Sequence, residues 1–327
     1  MKRQTDIFVE SWPIAGSFTI SRGSRTEANV IRVAITQGRV TGQGECVPYA
    51  RYGEDIGSVK AQIAAVVPAL NEGVDREALR SALPPGAARN AVDCALWDLE
   101  AKLSGQPAWQ LAGLPAPRPV TTAYTISLAD PATMAEQAGR AASRELLKVK
   151  LGGDGDRERM AAVRAAAPEA RIILDANEAW RPDIVQSLLD AARDIGAEMV
   201  EQPLPAGEDA LLSSLHRSVP VCADESVHVG GDLASLKDRY DCVNIKLDKT
   251  GGLTEALLVR QQALDAGFSM MIGCMVGTSL AMAPAMLLTP GAQFADLDGP
   301  LLLARDRENG LDYPGSMVAP PKSALWG

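Results

Sequence analysis

Histidine is scarce in this chain: His216 and His228 are the only two among 327 residues. Two histidines cannot build a His-rich zinc site, and neither lies near a GxSxG-type serine. The five cysteines are odd in number, scattered and without a CxxC pair; they are Cys46, Cys94, Cys222, Cys242 and Cys274. This usage indicates buried or incidental thiols in a reducing, cytoplasmic environment.

Long hydrophobic runs are also missing. The apolar stretches AAVVPAL and AMAPAMLL are far shorter than a membrane span, so we expect no membrane partner. The amino-terminal segment MKRQTDIFVESW is basic but lacks the apolar core of a signal peptide. A net charge of −9 disfavours a nucleic-acid partner. With 46% apolar and 22% charged residues, the composition is typical of a globular protein with one large and one smaller domain.

The first part of the chain has a mixed α+β pattern. Residues 5–20 and 29–36 are rich in β-formers and alternate in polarity, which predicts strands. Residues 58–70, 75–82 and Ala87–Leu103 have the composition or spacing of helices. A proline-rich joint near Pro115–Pro119 follows, so we predict an α+β domain over residues 1–118.

From Val120 the pattern becomes rhythmic, since short apolar runs end in a polar residue and amphipathic stretches follow. The residues that mark the strand ends are Thr125, Lys150, Asp175, Glu201, Asp224, Lys246, Gly273 and Asp296. They lie about 22 to 27 residues apart, the size of one strand and one helix, which favours an eight-stranded α/β barrel of the TIM type over residues 119–300. A doubly wound open sheet is the alternative, but no GxGxxG follows the first strand.

Three of these markers are carboxylates on consecutive predicted strands: Asp175, Glu201 and Asp224. The carboxyl ends of barrel strands form the catalytic face, so the three side chains should share one wall. Carboxylate oxygens are the ligands that Mg²⁺ prefers. Acidic residues also end strands simply because loops are solvated, but the mutual repulsion of three in register favours a metal site.

Lysines flank the acidic trio. Lys148 and Lys150 lie two apart on the second strand and share a face, and the charge of Lys148 should help Lys150 to act as a base. Lys246 ends the sixth predicted strand, which lies diametrically opposite the second strand in an eight-stranded barrel. Two bases on opposite faces of one carbon can invert a stereocentre. The alternative is that these lysines merely extend over a solvated strand end.

Weaker candidates lie around this ring. Asp296 and Asp298 would close it on strand eight and could bind a cationic group, although a plain Asp-Gly turn is equally compatible. Gly251-Gly252 could cradle an anion or form a turn. The loop arginines Arg22, Arg25 and Arg51 could reach over the barrel mouth or remain on the surface.

The chain resembles the enolase superfamily, specifically its muconate-lactonizing-enzyme-like subgroup. The resemblance covers nearly the whole chain and rests on ARNAVDCALWDLEAK, KVK, LDANE, EQPLP, ADES, NIKLDKTGG, GCMVGTS and ADLDGP. Together, NIKLDKTGGLTEA, GCM and DLDGP look like the dipeptide epimerases. This implies a modified TIM barrel, (β/α)₇β, covered by a capping domain that the tail 301–327 joins.

The resemblance also implies an activity and roles for single residues. It implies epimerisation of dipeptides such as L-Ala-D/L-Glu, associated with murein peptide recycling, and one Mg²⁺ per subunit on Asp175, Glu201 and Asp224. Lys150 and Lys246 would be the two bases. The substrate contacts implied are Thr125, Lys148, Cys274, Asp296 and Asp298, with Arg22 or Arg25 on the substrate side chain. Family members are often oligomeric, which leaves room for a homo-oligomer.

Other activities fit parts of the pattern. An o-succinylbenzoate synthase or N-acylamino acid racemase would leave Asp296 and Asp298 idle, because its substrate carries no free ammonium. Acid-sugar dehydration lacks its histidine, since neither His216 nor His228 falls on strand seven. A Schiff-base aldolase could use Lys246, and a non-catalytic binding barrel would tolerate loss of either lysine.

Overall fold

The computed structural model describes residues 2–327, and its first element is a three-stranded antiparallel sheet. Its strands are β1 (Arg3–Ile20), β2 (Gly23–Gln37) and β3 (Val40–Cys46), in the order β1-β2-β3. The side chains of Ile31, Val33 and Ile35 alternate along β2 and are fully buried, which is why this segment forms a half-buried strand. The predicted strands over 5–20 and 29–36 are confirmed.

Helices cover one face of this sheet. They are α1 (Ile56–Asn71), α2 (Arg76–Ala82), α3 (Ala87–Ser104) and the short α4 (Ala108–Leu111). Glycines in β3 let α3 approach closely, because a Cβ on Gly44 would lie 2.2 Å from the carbonyl oxygen of Ala91. The sheet and α1–α4 form a cap, and the predicted helices over 58–70, 75–82 and 87–103 are confirmed.

Eight parallel strands form the second unit. After the short β4 (Val120–Thr121), they are β5 (Tyr124–Ile126), β6 (Leu146–Lys150), β7 (Arg171–Asp175), β8 (Met199–Glu201), β9 (Val221–Ala223), β10 (Cys242–Ile245), β11 (Ser269–Ile272) and β12 (Phe294–Ala295). Neighbours in sequence are neighbours in the sheet. A parallel bridge between Thr122 and Ala295 joins its two ends, and the backbone N–H of Ala123 donates to the Ala295 carbonyl. The predicted TIM-type barrel is confirmed.

The helices between the strands are less regular than the strand spacing suggests. They are α5 (Pro131–Arg140), α6 (Asp156–Ala166), α7 (Val185–Asp194), α8 (Leu233–Leu236), α9 (Leu247–Thr250), α10 (Leu253–Asp265) and α11 (Ser279–Ala285), and α12 (Gly299–Leu302) follows the last barrel strand. After β8 there is only the 3₁₀ turn Ala210–Ser213. Prolines 203, 205 and 220 and the positive φ of Gly207 interrupt this connection, so a full crossover helix does not form there.

The carboxy-terminal tail contacts the cap. Its short strand β13 (Met317–Val318) pairs with β4. The indole N–H of Trp326 donates to the Cys94 carbonyl of α3 over 3.0 Å, and Leu303 forms a bridge with Ile14 of β1. No helix within residues 2–327 has the length and apolar character needed to cross a membrane.

Candidate active site

Three carboxylates line up at the carboxyl ends of three neighbouring strands. Asp175 is the last residue of β7, Glu201 is the last of β8, and Asp224 directly follows β9. Asp175 and Glu201 are register partners, so their side chains start from adjacent points of the sheet. All three residues are buried. The predicted acidic wall is therefore formed, and it lies deeper than a solvated loop edge would.

Two lysines flank this wall. Lys150 ends β6 and Lys246 follows β10, so β7, β8 and β9 with their carboxylates lie between them. The Lys150 ammonium lies 2.6 Å from Oδ2 of Asp175, and the Lys246 ammonium lies 2.7 Å from Oδ2 of Asp224. Each lysine is therefore paired with the outer carboxylate on its own side of the wall.

Lys148 contacts three carboxylates, which its position beside Lys150 in the sequence did not suggest. Its ammonium lies 2.6 Å from Oε2 of Glu201, 2.7 Å from Oδ2 of Asp296 and 3.2 Å from Oδ2 of Asp175. Burial lowers the pKa of Lys148, but the charges of these carboxylates outweigh it and hold the pKa well above its usual value. Lys148 is therefore a fixed cation at the centre of the acidic wall.

The acidic wall has the donor set of a divalent-cation site. Within residues 2–327 no three His, Cys, Asp or Glu side chains converge as a ready-made metal cage, because ammonium groups take the carboxylate oxygens. Oε2 of Glu201 is nevertheless buried without a well-directed hydrogen-bond donor. Burial and the charge of Asp175 raise the pKa of Glu201 to about 8. A buried carboxylate with this shortage of positive charge fits an oxygen-preferring cation such as Mg²⁺.

The opposite wall carries the remaining predicted contacts. Oδ2 of Asp298 accepts a 2.7 Å hydrogen bond from the backbone N–H of Thr125. Burial and the charge of Asp296 raise the pKa of Asp298 to about 7. Oδ1 of Asp296 is buried without a partner, and Cys274 lies on the same wall. The two aspartates therefore face the site with a single ammonium group between them, that of Lys148 on Oδ2 of Asp296, and a plain Asp-Gly turn does not describe them.

The loop between β1 and β2 covers the barrel mouth. Arg22 on this loop is 2.7 Å from Oε1 of Glu225 and 3.0 Å from Oε2 of Glu178, so it ties the loop to the barrel. Arg25 forms no ion pair within residues 2–327 and lies with its guanidinium 5.5 Å from the Tyr49 ring centre. The sequence did not distinguish these two arginines, but the structure does, because Arg22 forms ion pairs and Arg25 forms none within residues 2–327.

Two of the weaker candidates have structural partners. Arg51 donates two hydrogen bonds to Glu178, of 2.7 and 2.8 Å, and so anchors a second cap loop to the barrel. Gly251 and Gly252 have positive φ, and side chains there would collide with Arg89 and Asp93 of α3. The glycine pair is therefore a turn that lets the cap approach, and it is not an anion cradle.

These residues enclose one cleft with an empty volume of about 870 Å³, including its opening to solvent. Of the predicted site residues, those that line it are Arg22, Arg25, Thr125, Lys148, Lys150, Asp224, Lys246, Cys274, Asp296 and Asp298. Asp175 and Glu201 lie behind them, fully buried. The cap contributes apolar side chains, among them Phe18, Ile20 and Tyr52.

Family models match both units of the chain. The model described as "Mandelate racemase / muconate lactonizing enzyme, N-terminal domain" matches residues 2–113, and the model described as "Enolase C-terminal domain-like" matches residues 133–322. The chain therefore belongs to the mandelate racemase / muconate lactonizing enzyme family of the enolase superfamily. The resemblance expected from the sequence motifs is thereby confirmed for both units of the chain.

Relatives within the enolase superfamily include an epimerase and a racemase. An L-Ala-D/L-Glu epimerase of Escherichia coli K12 is 49% identical, covering 95% of this chain and 98% of that protein. An N-acetyl-D-glutamate racemase of a Pseudoalteromonas species is 43% identical, covering 91% and 95%. An enolase family member from Agrobacterium tumefaciens with homology to dipeptide epimerases, solved with sodium, L-Ala-L-Glu and an ordered loop, is 56% identical. It matches with a TM-score of 0.98 over 99% of this chain and 100% of that one.

Several residues at this enolase-family site were not singled out from the sequence. Glu225 follows Asp224, and one of its oxygens is buried without a partner. Asn244 donates a 2.6 Å hydrogen bond to Oε1 of Glu201. Lys249 lies 2.6 Å from Oδ1 of Asp224. Asn244 could have been found by its spacing, because it precedes Lys246 by two positions, as Lys148 precedes Lys150.

The raised pKa of Glu201 predicts that Mg²⁺ binding depends on pH. If Glu201 is a ligand, the cation must displace its proton below about pH 8, so the apparent affinity should rise up to about tenfold per pH unit between pH 6 and 8 and then level off. Calorimetric titration in two buffers of different ionisation enthalpy gives the number of protons released. Glu201→Gln should bind Mg²⁺ weakly and release no proton. An affinity that is constant from pH 6 to 8 would contradict this assignment.

Proposed function

We propose that this chain is a Mg²⁺-dependent dipeptide epimerase, an isomerase that transfers a proton to and from the α-carbon of the carboxy-terminal residue of dipeptides such as L-Ala-D/L-Glu. The observation that carries the proposal is the placement of Lys150 and Lys246 on either side of the strands that bear Asp175, Glu201 and Asp224. A planar α-carbon between two such amines can lose its proton to one face and regain it from the other.

The two lysines supply the proton transfers. Burial lowers the pKa of Lys246, but the charges of Asp224 and Glu201 outweigh it and hold the pKa well above its usual value. In the arrangement that the structure shows, Lys246 therefore holds a proton that it can deliver. Lys150 removes the proton of one epimer and Lys246 removes that of the other, so each serves as acid when its counterpart serves as base.

The acidic trio is the proposed binding site for one Mg²⁺ per subunit. Asp175, Glu201 and Asp224 would each give carboxylate oxygens to the cation, and Lys148 lies beside them, 2.7 Å from Asp296. The bound cation would take up the negative charge that develops on the substrate carboxylate as its α-proton leaves.

Asp296 and Asp298 would bind the ammonium group of the dipeptide. The buried, unpartnered Oδ1 of Asp296 and the raised pKa of Asp298 both indicate that the Lys148 ammonium on Oδ2 of Asp296 does not balance the two carboxyl groups of this wall. A substrate ammonium supplies the missing positive charge, and Thr125 and Cys274 lie beside it in the cleft. An N-acylated amino acid carries no such charge.

Arg25 is the arginine proposed to bind the side-chain carboxylate of the substrate. Arg22 is committed to Glu225 and Glu178, whereas Arg25 lines the cleft without an ion pair among residues 2–327. The role of Arg22 is then to hold the covering loop in place.

The remaining assignments follow from this proposal. Residues 1–118 with the tail 301–327 form the capping domain, and residues 119–300 form the catalytic barrel. The substrate would arise in murein peptide recycling in the cytoplasm, which is the process associated with the family that the motifs resemble. The subunits would form a homo-oligomer.

Single substitutions of the two lysines test the two-base scheme. Lys150→Ala and Lys246→Ala should each lower epimerisation of L-Ala-L-Glu and L-Ala-D-Glu by at least about a thousandfold, because one proton transfer is lost. In D₂O, each variant should still exchange the substrate α-hydrogen from one epimer only, and the surviving epimer should differ between the two. The measurement is proton NMR of the α-hydrogen. The exposed Lys60→Ala serves as control, and exchange of both epimers by both variants would overturn the scheme.

Substitution of Arg25 tests the side-chain contact. Arg25→Met should weaken kcat/KM for L-Ala-L-Glu by about ten- to a hundredfold, the range expected for a lost charge-assisted hydrogen bond, and should leave L-Ala-L-Gln nearly unchanged. Arg22→Met, the matched variant, should affect both dipeptides equally because it loosens the loop. Equal losses on both dipeptides for Arg25→Met would refute the contact.

The second candidate is racemisation of an N-acylated amino acid, which the 43% identity to an N-acetyl-D-glutamate racemase favours. We expect free L-Ala-L-Glu to exceed N-acetyl-D-glutamate in kcat/KM by about a hundredfold or more, because an uncharged acyl group would leave Oδ1 of Asp296 buried without a partner. Polarimetry on both substrates decides between them. The reverse preference would make N-acylamino acid racemisation the better description.

A further inference from the structure

A buried lysine that does not reach the cleft lies against the acidic wall. Lys249 is on α9, three residues after Lys246, and only 1% of its surface is exposed. Lys246, by contrast, lines the cleft. A lysine is buried to this extent only when its charge is paired and its donors are satisfied.

All of the donors of Lys249 are directed at two strand ends. Its ammonium donates to Oδ1 of Asp224 over 2.6 Å, to the Asp224 carbonyl over 2.5 Å and to the Asn244 carbonyl over 2.9 Å. An ammonium has three donors, so none is left for a substrate. Lys249 therefore joins the end of β9 to the end of β10 and cannot act as a further base.

The two oxygens of Asp224 consequently have different partners. Oδ1 is held by Lys249, which is sealed from the cleft, and Oδ2 is held by Lys246, which borders it. Only the second partner is free to change as the reaction proceeds. Asn244 extends the arrangement, since its side-chain amide donates to Oε1 of Glu201 while its carbonyl accepts from Lys249.

We propose that Lys249 is a positioning residue that holds Asp224 as a metal ligand with one oxygen, Oδ2, turned to the cation. The inference rests on the proposed function, because it takes Asp224 as one of the Mg²⁺ ligands. Without Lys249, Oδ1 of Asp224 loses its permanent partner and the carboxylate is free to rotate. Groups that orient a ligand in this way typically change metal affinity by about 10- to 100-fold.

Calorimetric titration of the metal-free protein with Mg²⁺ measures the effect directly. Lys249→Met should bind Mg²⁺ about 10- to 100-fold more weakly than the wild type. The matched control is Lys102→Met, because Lys102 also pairs with a buried aspartate, Asp98, at 2.7 Å and also approaches a backbone carbonyl, that of Thr41. Lys102 lies in the cap, and its loss should leave Mg²⁺ affinity unchanged.

A double-mutant cycle separates positioning of Asp224 from a general role in stability. Lys249→Met should lower the thermal midpoint in the wild type but much less in an Asp224→Asn background, where the charge that Lys249 faces is gone. If Lys249→Met alone does not fold, the double variant should recover soluble protein. An equal loss in both backgrounds, or failure of both variants to fold, would overturn the proposal.

The outcomes also distinguish this inference from the proposed function. Mg²⁺ binding by Lys249→Met at wild-type strength or tighter would overturn the role of Lys249 and leave the epimerase assignment intact. Absence of Mg²⁺ binding by the wild type would overturn the metal assignment itself, and the role of Lys249 with it.

Discussion

The repulsion among buried carboxylates is the constraint on which the site depends. Asp175, Glu201 and Asp224 lie at the ends of neighbouring strands and are almost fully buried, and charges so close in a poorly polarisable interior cannot all ionise without compensation. Four ammonium groups provide it, from Lys148, Lys150, Lys246 and Lys249. The outer two carboxylates are stabilised as anions, whereas the central Glu201 remains short of positive charge. The acidic wall therefore has too little positive charge at its centre, next to Glu201.

The same electrostatics divides the lysines by exposure. Lys150 and Lys246 border the cleft with 7% and 6% of their surface exposed, Lys148 lines it with only 1% exposed, and Lys249 does not reach it. Lys150 therefore shares Asp175 with the more deeply buried Lys148, and Lys246 shares Asp224 with the more deeply buried Lys249. This pairing keeps the two carboxylates oriented while Lys150 and Lys246 gain or lose protons, which is the combination that a two-sided proton transfer needs.

The sequence predicted the strand ends well because strand length and strand-end polarity are local properties. An apolar run followed by Lys150, Asp175 or Glu201 places that residue at the barrel mouth whatever the connecting helix does. Contacts that depend on long side chains were not predictable. Nothing local tells that Arg22 pairs with Glu225 and Glu178 while Arg25 stays free, since these partners meet only when the cap covers the barrel. Lys249 was missed for a related reason, because its role depends on the turn formed by α9.

The tail gives the cap a dependence on the rest of the chain. Leu303 bridges to Ile14, Arg307 pairs with the buried Glu45, and Trp326 bonds to α3, yet all three follow the whole barrel in sequence. During synthesis, the cap therefore lacks these three contacts until the barrel and the tail have been made. Unpaired Glu45 and the uncovered surface of α3 would favour late docking of the cap, so that the cleft closes only after the strand ends beneath it are in place.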